Sequence, residues 1–179
     1  MPPAVTLAGP LAAGAPDVDT VGADLLKSAL RLVSATVSVV TAGDCANRTG
    51  ATVTSATALS VEPPTMVVNI DLSSSTWPVI ARHRHFCVNI LDASQKAIAE
   101  NFSGRTGLRG PDRYIGAQWR ELASGAPTLV DALAAIDCKV EEIIERHSHA
   151  ILLGRVMAIS LKDGSPLLYG RGQYGTMVG

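Results

Sequence analysis

Two clusters of small hydroxyl residues dominate the chemistry available to this chain. Thr52, Thr54, Ser55, Thr57 and Ser60 form the first and Ser73, Ser74, Ser75 and Thr76 the second, with the apolar run Met66–Ile70 between them. Side chains two apart on a strand share a face, so a strand alternating hydroxyl and apolar residues offers hydrogen bonds on one side and buries the other. The turn SSSTWP after Asp71 adds hydroxyls and backbone N–H groups where a helix begins, with Ser74 or Ser75 as N-cap and Pro78 in the first turn. Such a helix start accepts anions, phosphate above all. Each cluster also has a plain structural reading, since Ser and Thr are common in strands and at caps. In succession they have the layout of a ligand cradle.

Other reactive residues are sparse. The four histidines form two H-x-H pairs, His83/His85 and His147/His149. On a strand, His147 and His149 would share a face and could chelate a metal with a carboxylate such as Glu145, although spacing supplies no third ligand. Arg82 to His85 fall at the end of a short helix, where cations complement the dipole. There is no G-x-S-x-G elbow and no G-x-G-x-x-G between a strand and a helix. Cys87 and Cys138 alternate with apolar neighbours and read as core residues. What remains is a site of hydroxyls and backbone amides without an acid, base or metal of its own, which suits a cofactor that brings its own reactivity.

The elements that position this cradle follow from composition and period. A chain of 179 residues suggests one domain, and its net charge of −1 leaves no footprint for nucleic acid or an anionic membrane surface. No apolar run approaches the ~20 residues of a membrane span. Three cysteines without a CxxC pair point to a reducing compartment, the N-terminus has no signal-peptide pattern, and the expected location is cytoplasmic. Residues 1–19, rich in Pro, Ala and Gly, are expected to be disordered, with a single domain over 20–179. Apolar residues from Val21 to Val33 at spacings of three and four predict a helix capped by Asp19 or Thr20. Strands are expected at Thr36–Ala42, along the hydroxyl run to Pro63, at Met66–Ile70 and at Phe86–Leu91, with a helix capped by Ser94 and running to about Phe102. Residues 103–128 are too rich in Gly and Pro for regular structure. AIDCKVEEI, with a bulge at Glu141-Glu142, HAILLGRVMAISL and PLLYGRGQY complete the strands, and the KDGS turn fits a hairpin. The fold class is therefore mainly β, an antiparallel barrel with a few short flanking helices.

From Val37 to Tyr174 the chain resembles the short flavin reductases of two-component monooxygenases, which have an FMN-binding split β-barrel. Seven motifs carry the resemblance, in order. GATVTSATALSVEPP is similar to the family's G-x-T-A-N-S-F-x-S-x-S-x-x-P-P, DLSSSTWP to D-x-S-S-S-T-x-P, FCVNIL to F-x-V-N-x-L, and Phe102-Ser103-Gly104 to F-[AS]-G. DRYIGAQW is similar to D-R-[FY]-x-G-x-x-W, SHAILLGRV to D-H-x-I-x-x-G-x-V, and PLLYGRGQY to P-L-x-Y-x-x-G-x-Y. The chain departs from the pattern at Thr54, where the family has Asn, at Ala56, where it has an aromatic residue, and at Ser148, where it has an acid.

The resemblance implies hydride transfer from NADH or NADPH to FMN or FAD, with reduced flavin released to a partner monooxygenase. It places Thr52, Val53, Thr54 and Ser55 along the isoalloxazine and ribityl chain. Asp71, Ser73, Ser74, Ser75 and Thr76 would lie near the ribityl and phosphate groups, and Phe102, Ser103 and Gly104 would close the other side. His149 and Tyr174 would border the nicotinamide, with Arg171 nearby. It also implies a homodimer with the site at the interface, which the apolar composition suits. The rival readings are a non-catalytic flavin- or haem-binding split barrel and a metal-dependent barrel enzyme using His147 and His149.

Overall fold

A computed structural model describes residues 21–177. The expectation of disorder over residues 1–19, and the helix caps expected at Asp19 or Thr20, lie outside the described residues. Helix α1 (Ala23–Leu30) starts at Gly22 and none of its residues is buried. It leads into β1 (Ala35–Thr36) and β2 (Ser38–Ala42), which the crossover residue Val37 divides. Then come β3 (Thr49–Val53), β4 (Thr57–Val61), β5 (Pro64–Asp71), α2 (Trp77–His83) and β6 (His85–Ile90). A 3₁₀ turn at Ala93–Gln95 precedes α3 (Lys96–Phe102), and a second one, Gly110–Tyr114, precedes the short pair β7 (Trp119–Glu121) and β8 (Pro127–Leu129). The chain closes with β9 (Ala134–Arg146), β10 (His149–Leu161), β11 (Leu168–Gly170) and β12 (Gln173–Gly175).

Seven strands form one antiparallel sheet in the order β3-β2-β6-β9-β10-β5-β4. Its edge strands are joined by only Thr54, Ser55 and Ala56. Laid flat, edges six strand spacings apart would be separated by about 29 Å, whereas the steps from Val53 to Thr57 reach about 14 Å at most. The sheet must therefore curl until β3 and β4 meet. They carry no ladder between them, so the barrel is split at the 54–56 link. The hydroxyl run is thus two strands rather than the single one expected, with the break in the middle of the cradle.

The curled sheet encloses Val40, Val68, Ile70, Phe86, Val88 and Leu152. Phe86 is fully buried and lies so close to β10 that a Cβ on Gly154 would stand 2.7 Å from its ring carbon Cε1. A second cluster covers the outer face of β2 and β6, where Val39, Cys87, Phe102, Tyr114 and Leu129 pack beneath α3 and the β7–β8 pair. The Asn of FCVNIL stitches these layers. Asn89 is fully buried, its amide donates to the Val39 carbonyl and to Thr41 Oγ1 at 3.0 Å each, and its Oδ1 accepts from the Leu129 N–H at 2.7 Å. A buried amide satisfied in this way fixes register.

Strands β9 and β10 follow the sequence expectation closely, and the register slips where Glu142 pairs with Leu153 and Val140 with Gly154, leaving Glu141 as the bulge. The KDGS turn does not close a hairpin. After β10 the chain crosses to a separate three-stranded sheet, β1-β11-β12, whose hairpin is β11–β12. Val37 binds that sheet to the barrel, its N–H donating to the Leu167 carbonyl at 2.8 Å and its carbonyl accepting from Leu91 N–H at 3.0 Å. Two caps also differ from expectation. The N-cap of α2 is Thr76, without a side-chain capping bond, and the turn before α3 is capped by Asp92 in a capping box with Gln95. Residues 103–128 hold the second 3₁₀ turn and the β7–β8 pair, so they are more regular than their composition suggests. Among the described residues no helix is long and apolar enough to cross a membrane.

Candidate active site

The end of β3 is held from outside by the DRYIGAQW segment. An edge strand exposes unpaired carbonyls. Here Tyr114 Oη donates to the Thr49 carbonyl at 2.6 Å, and the Arg113 guanidinium donates to the Gly50 carbonyl and, through Nε, to Leu108 O at 3.0 Å. Burial lowers the Arg113 pKa from its ordinary value and raises that of the Tyr114 phenol. Trp119 Nε1 donates to the Tyr114 carbonyl at 3.0 Å, locking the loop on itself. Phe102 is 2% exposed, with Tyr114 edge-on at 5.0 Å between ring centroids, and its ring closes on Gly50, where a Cβ would come within 2.9 Å. Phe102 thus supports the backbone of β3 from within the core.

On the other side of β3 opens a cleft of about 210 Å³, lined by Val37, Thr52, Val53, Thr54, Ser103, Arg105, Tyr169 and Tyr174. The structure therefore brings Thr52, Val53, Thr54 and Ser103 together with Tyr174, across more than a hundred residues of sequence. The Thr52 hydroxyl is committed to the Ala99 carbonyl of α3 at 2.5 Å, and Ser103 Oγ donates to the Glu100 carbonyl at 2.8 Å. Thr54 has no such partner among the described residues and is the hydroxyl left for a ligand. Ser55 makes one long bond, 3.5 Å, to the Asn69 carbonyl. Tyr169 and Tyr174 meet edge-on at 5.2 Å and form the aromatic wall. Partial burial raises the Tyr174 phenol above its ordinary pKa, opposed by the charge of Arg105.

The second hydroxyl cluster divides by role. Asp71 Oδ1 accepts from the Ser73 N–H at 2.8 Å and from the Ser73 hydroxyl at 2.7 Å, which holds its carboxyl below the ordinary value. Ser74 Oγ accepts from the Thr76 N–H at 3.1 Å. Thr76 is fully buried and its hydroxyl has no partner among the described residues. Ser75 faces a cavity, about 230 Å³, which it shares with Gly104, Gly107, Leu108, Arg109 and Arg113. At Gly104, φ is +78° and a Cβ would meet nothing within 4 Å. Ser103 thus lines the first cleft and Gly104, the next residue, lines the cavity of Ser75, so this backbone step adjoins both.

His149 does not line either cavity. It is exposed, pairs with Asp71 across β5 and β10, and follows the two-residue turn His147-Ser148. The Ser148 hydroxyl lies 2.9 Å from His149 Nδ1, where the family pattern has a carboxylate. His147 belongs to the turn, with φ +54°, and does not share a strand face with His149. Among the described residues no group of three His, Cys, Asp or Glu side chains is placed to hold a metal. Cys87 and Cys138 are fully buried, and burial pushes the Cys87 thiol up to about 12. Arg171, at φ +52° in the β11–β12 turn, lines a larger adjoining cleft with Thr54, Ser55, Arg105 and Tyr169. Arg105 and Tyr169 are the residues that sequence reasoning passed over. A lone cation directly after Phe102-Ser103-Gly104 and the first Tyr of PLLYGRGQY were the available signals.

A split antiparallel barrel is the architecture of a known class. Residues 30–177 match the sequence profile described as the flavin reductase like domain, and the chain belongs to that family. Its relatives include the NADH-dependent FMN reductase RutF of Klebsiella pneumoniae (strain 342), 33% identical over 154 residues, 84% of this chain and 92% of the relative. Among solved structures, the flavin reductase PheA2 in its native state superposes with a TM-score of 0.80 at 28% identity, covering 89% of this chain and all of that one. Nitrilotriacetate monooxygenase component B from Mycobacterium thermoresistibile gives a TM-score of 0.78 at 30% identity, covering 87% of this chain and 86% of that one.

Proposed function

We propose that this protein is an NAD(P)H-dependent flavin reductase that reduces FMN or FAD by hydride transfer and releases the product to a separate monooxygenase, all within one domain over residues 20–179. The observation that carries this reading is the cleft in which Thr52, Val53 and Thr54 face Tyr169 and Tyr174, one backbone step from the cavity of Ser75 and Gly104. Its chemistry fits a flavin. It offers a free hydroxyl at Thr54, an aromatic wall for a ring, and a Cβ-free approach at Gly104 beside the Ser75 hydroxyl for a phosphate. Membership of the flavin reductase like family and the names of its relatives support the same reading.

A bound flavin would supply the acceptor for the nicotinamide hydride, so this chain's own contribution is geometric. Thr52 to Ser55 and Ser103 would hold the ring and ribityl chain, and Ser75 the phosphate. Asp71, Ser73, Ser74 and Thr76 would shape the turn that presents Ser75, as their internal hydrogen bonds suggest, and Phe102 would set the floor. Tyr174 would orient the two rings and exclude water, which is the main resource of a site without its own acid or base. Homodimer formation belongs to the proposal. Leu25, Leu26 and Leu30 of α1 and Met157, Ile159 and Leu161 of β10 are exposed apolar side chains that a second copy would cover. Because His149 lies outside the cleft of its own chain, this reading gives it a positioning role completed across that interface.

Purified protein is expected to oxidise NADH or NADPH only when flavin is supplied. If neither FMN nor FAD in excess stimulates oxidation of either nicotinamide, the reductase reading is wrong. Flavin binding without turnover would favour a carrier instead.

A further inference from the structure

A separate cavity of about 320 Å³ opens between the β2–β3 loop and β7, lined by Cys45, Arg48, Trp119, Arg120, Glu121 and Pro127. None of these residues lines the flavin cleft or the cavity of Ser75. Arg48 directly precedes β3, whereas Thr52 and Val53 at the other end of that strand face the flavin cleft, roughly 13 Å further along. The two sites are distinct.

Both walls of this cavity are fixed in advance. The loop turns at Gly43, where φ is +95° and a Cβ would collide with the Asn47 carbonyl, and Asp44 Oδ1 accepts from the N–H groups of Ala46 and Asn47 at 3.0 and 2.9 Å. His85 Nε2 lies 3.2 Å from the Gly43 carbonyl, which holds the loop against β6. Opposite, Ser124 anchors the β7–β8 turn by donating its N–H and its hydroxyl to Asp137, a fully buried carboxylate, and Thr41 Oγ1 donates to the Pro127 carbonyl. A site of this kind is pre-formed for a small ligand.

The cationic groups of the lining are not neutralised. The Arg48 guanidinium carbon lies 4.4 Å over the centroid of the Tyr114 ring, a cation–π contact, and its Nε is buried without a hydrogen-bond partner among the described residues. Leaving a buried guanidinium N–H unpaired is costly, so the position calls for an acceptor. Neither Arg48 nor Arg120 belongs to an ion pair among the described residues. Arg120 donates to Ser160 Oγ at 2.7 Å, and Glu121, the one carboxylate of the lining, lies 3.7 Å from the Cys45 thiol. The half-buried Trp119 commits its Nε1 to the Tyr114 carbonyl and, with the buried Pro127, leaves an apolar wall.

We propose that this cavity binds a small aromatic carboxylate, with the carboxylate on Arg48 and the ring against Trp119 and Pro127. Two guanidiniums against one carboxylate select an anion. The volume, at the low end for small-molecule pockets, suits a single-ring acid rather than a dinucleotide. The inference goes beyond the reductase reading and stands without it.

The test is calorimetric titration of the full chain with benzoate, and with benzamide as its uncharged counterpart. One benzoate is expected per chain, with benzamide about tenfold weaker and benzoate itself about tenfold weaker for Arg48→Gln, as loss of a charge-assisted pair predicts. Glu121→Gln removes a like charge from the lining and should tighten benzoate about threefold, a gain that a purely structural Arg48 would not produce. Saturating FMN should leave the benzoate affinity unchanged. Should Arg48→Gln not fold, the comparison of Glu121→Gln with the unaltered protein decides alone. No benzoate binding up to about 10 mM, an affinity that neither substitution moves, or displacement of benzoate by FMN would each overturn the inference. A protein that binds benzoate in this way yet oxidises no nicotinamide with flavin would overturn the reductase reading and leave this site standing.

Discussion

Flavin affinity is expected to fall about thirtyfold when Thr54 and Ser55 are both replaced by leucine, roughly 2 kcal/mol for two lost hydroxyl contacts. Both residues are exposed and belong to the link that joins the two edges of the barrel sheet, outside either core cluster. Their substitution removes no buried packing, so stability should change by no more than about 0.5 kcal/mol per site. That separation of binding from folding gives the experiment its force. Quenching of flavin fluorescence measures the affinity and a thermal melt the stability. Undiminished affinity in the double variant would remove the 54–56 link from the site and leave the flavin to bind elsewhere.

The variant Phe102→Ala should behave in the opposite way, with stability as its first casualty. The ring is 2% exposed, lies 5.0 Å from Tyr114 and 5.6 Å from Trp119 between centroids, and fills the space that Gly50 leaves open. Truncating a buried phenylalanine costs about 3–5 kcal/mol. For a domain of this size that corresponds to a drop in Tm of about 10 °C. Flavin affinity should fall with it, because Ser103 and Gly104 follow directly on Phe102 and take their position from it. A melting temperature within a degree or so of the unaltered protein, on the order of a few tenths of a kcal/mol, would show that this ring does not support β3.

Much of this architecture could be read in the sequence where the determinants are local. The long strands β9 and β10 are dense in β-branched and apolar residues, and the paired Glu141-Glu142 interrupts the alternation where the register slips. The seven motifs place the family, and five of the residues they single out, Thr52, Val53, Thr54, Ser103 and Tyr174, converge on one cleft. Non-local choices were less legible. The hydroxyl run looks like one strand because Thr and Ser suit strands and links alike, and only the closure of the sheet decides that the chain leaves β3 at Thr54. The KDGS segment has hairpin chemistry, yet β11 pairs with β1, from the other end of the chain. Phe102 carries a motif position that suggests ligand contact, whereas its burial gives it a supporting place. Arg105 and Tyr169 acquire their importance from the small sheet that Val37 docks against the barrel.

The central step of the proposed reaction is hydride transfer from a nicotinamide to a flavin held in the cleft beside the split. The most direct measurement is anaerobic mixing of the protein with flavin and NADH while the absorbances of both are followed. Bleaching of the visible flavin band in step with NADH loss, one flavin for each NADH, is the predicted result. NADH consumed without bleaching, or no reaction with FMN and FAD alike and with NADPH in place of NADH, would contradict it.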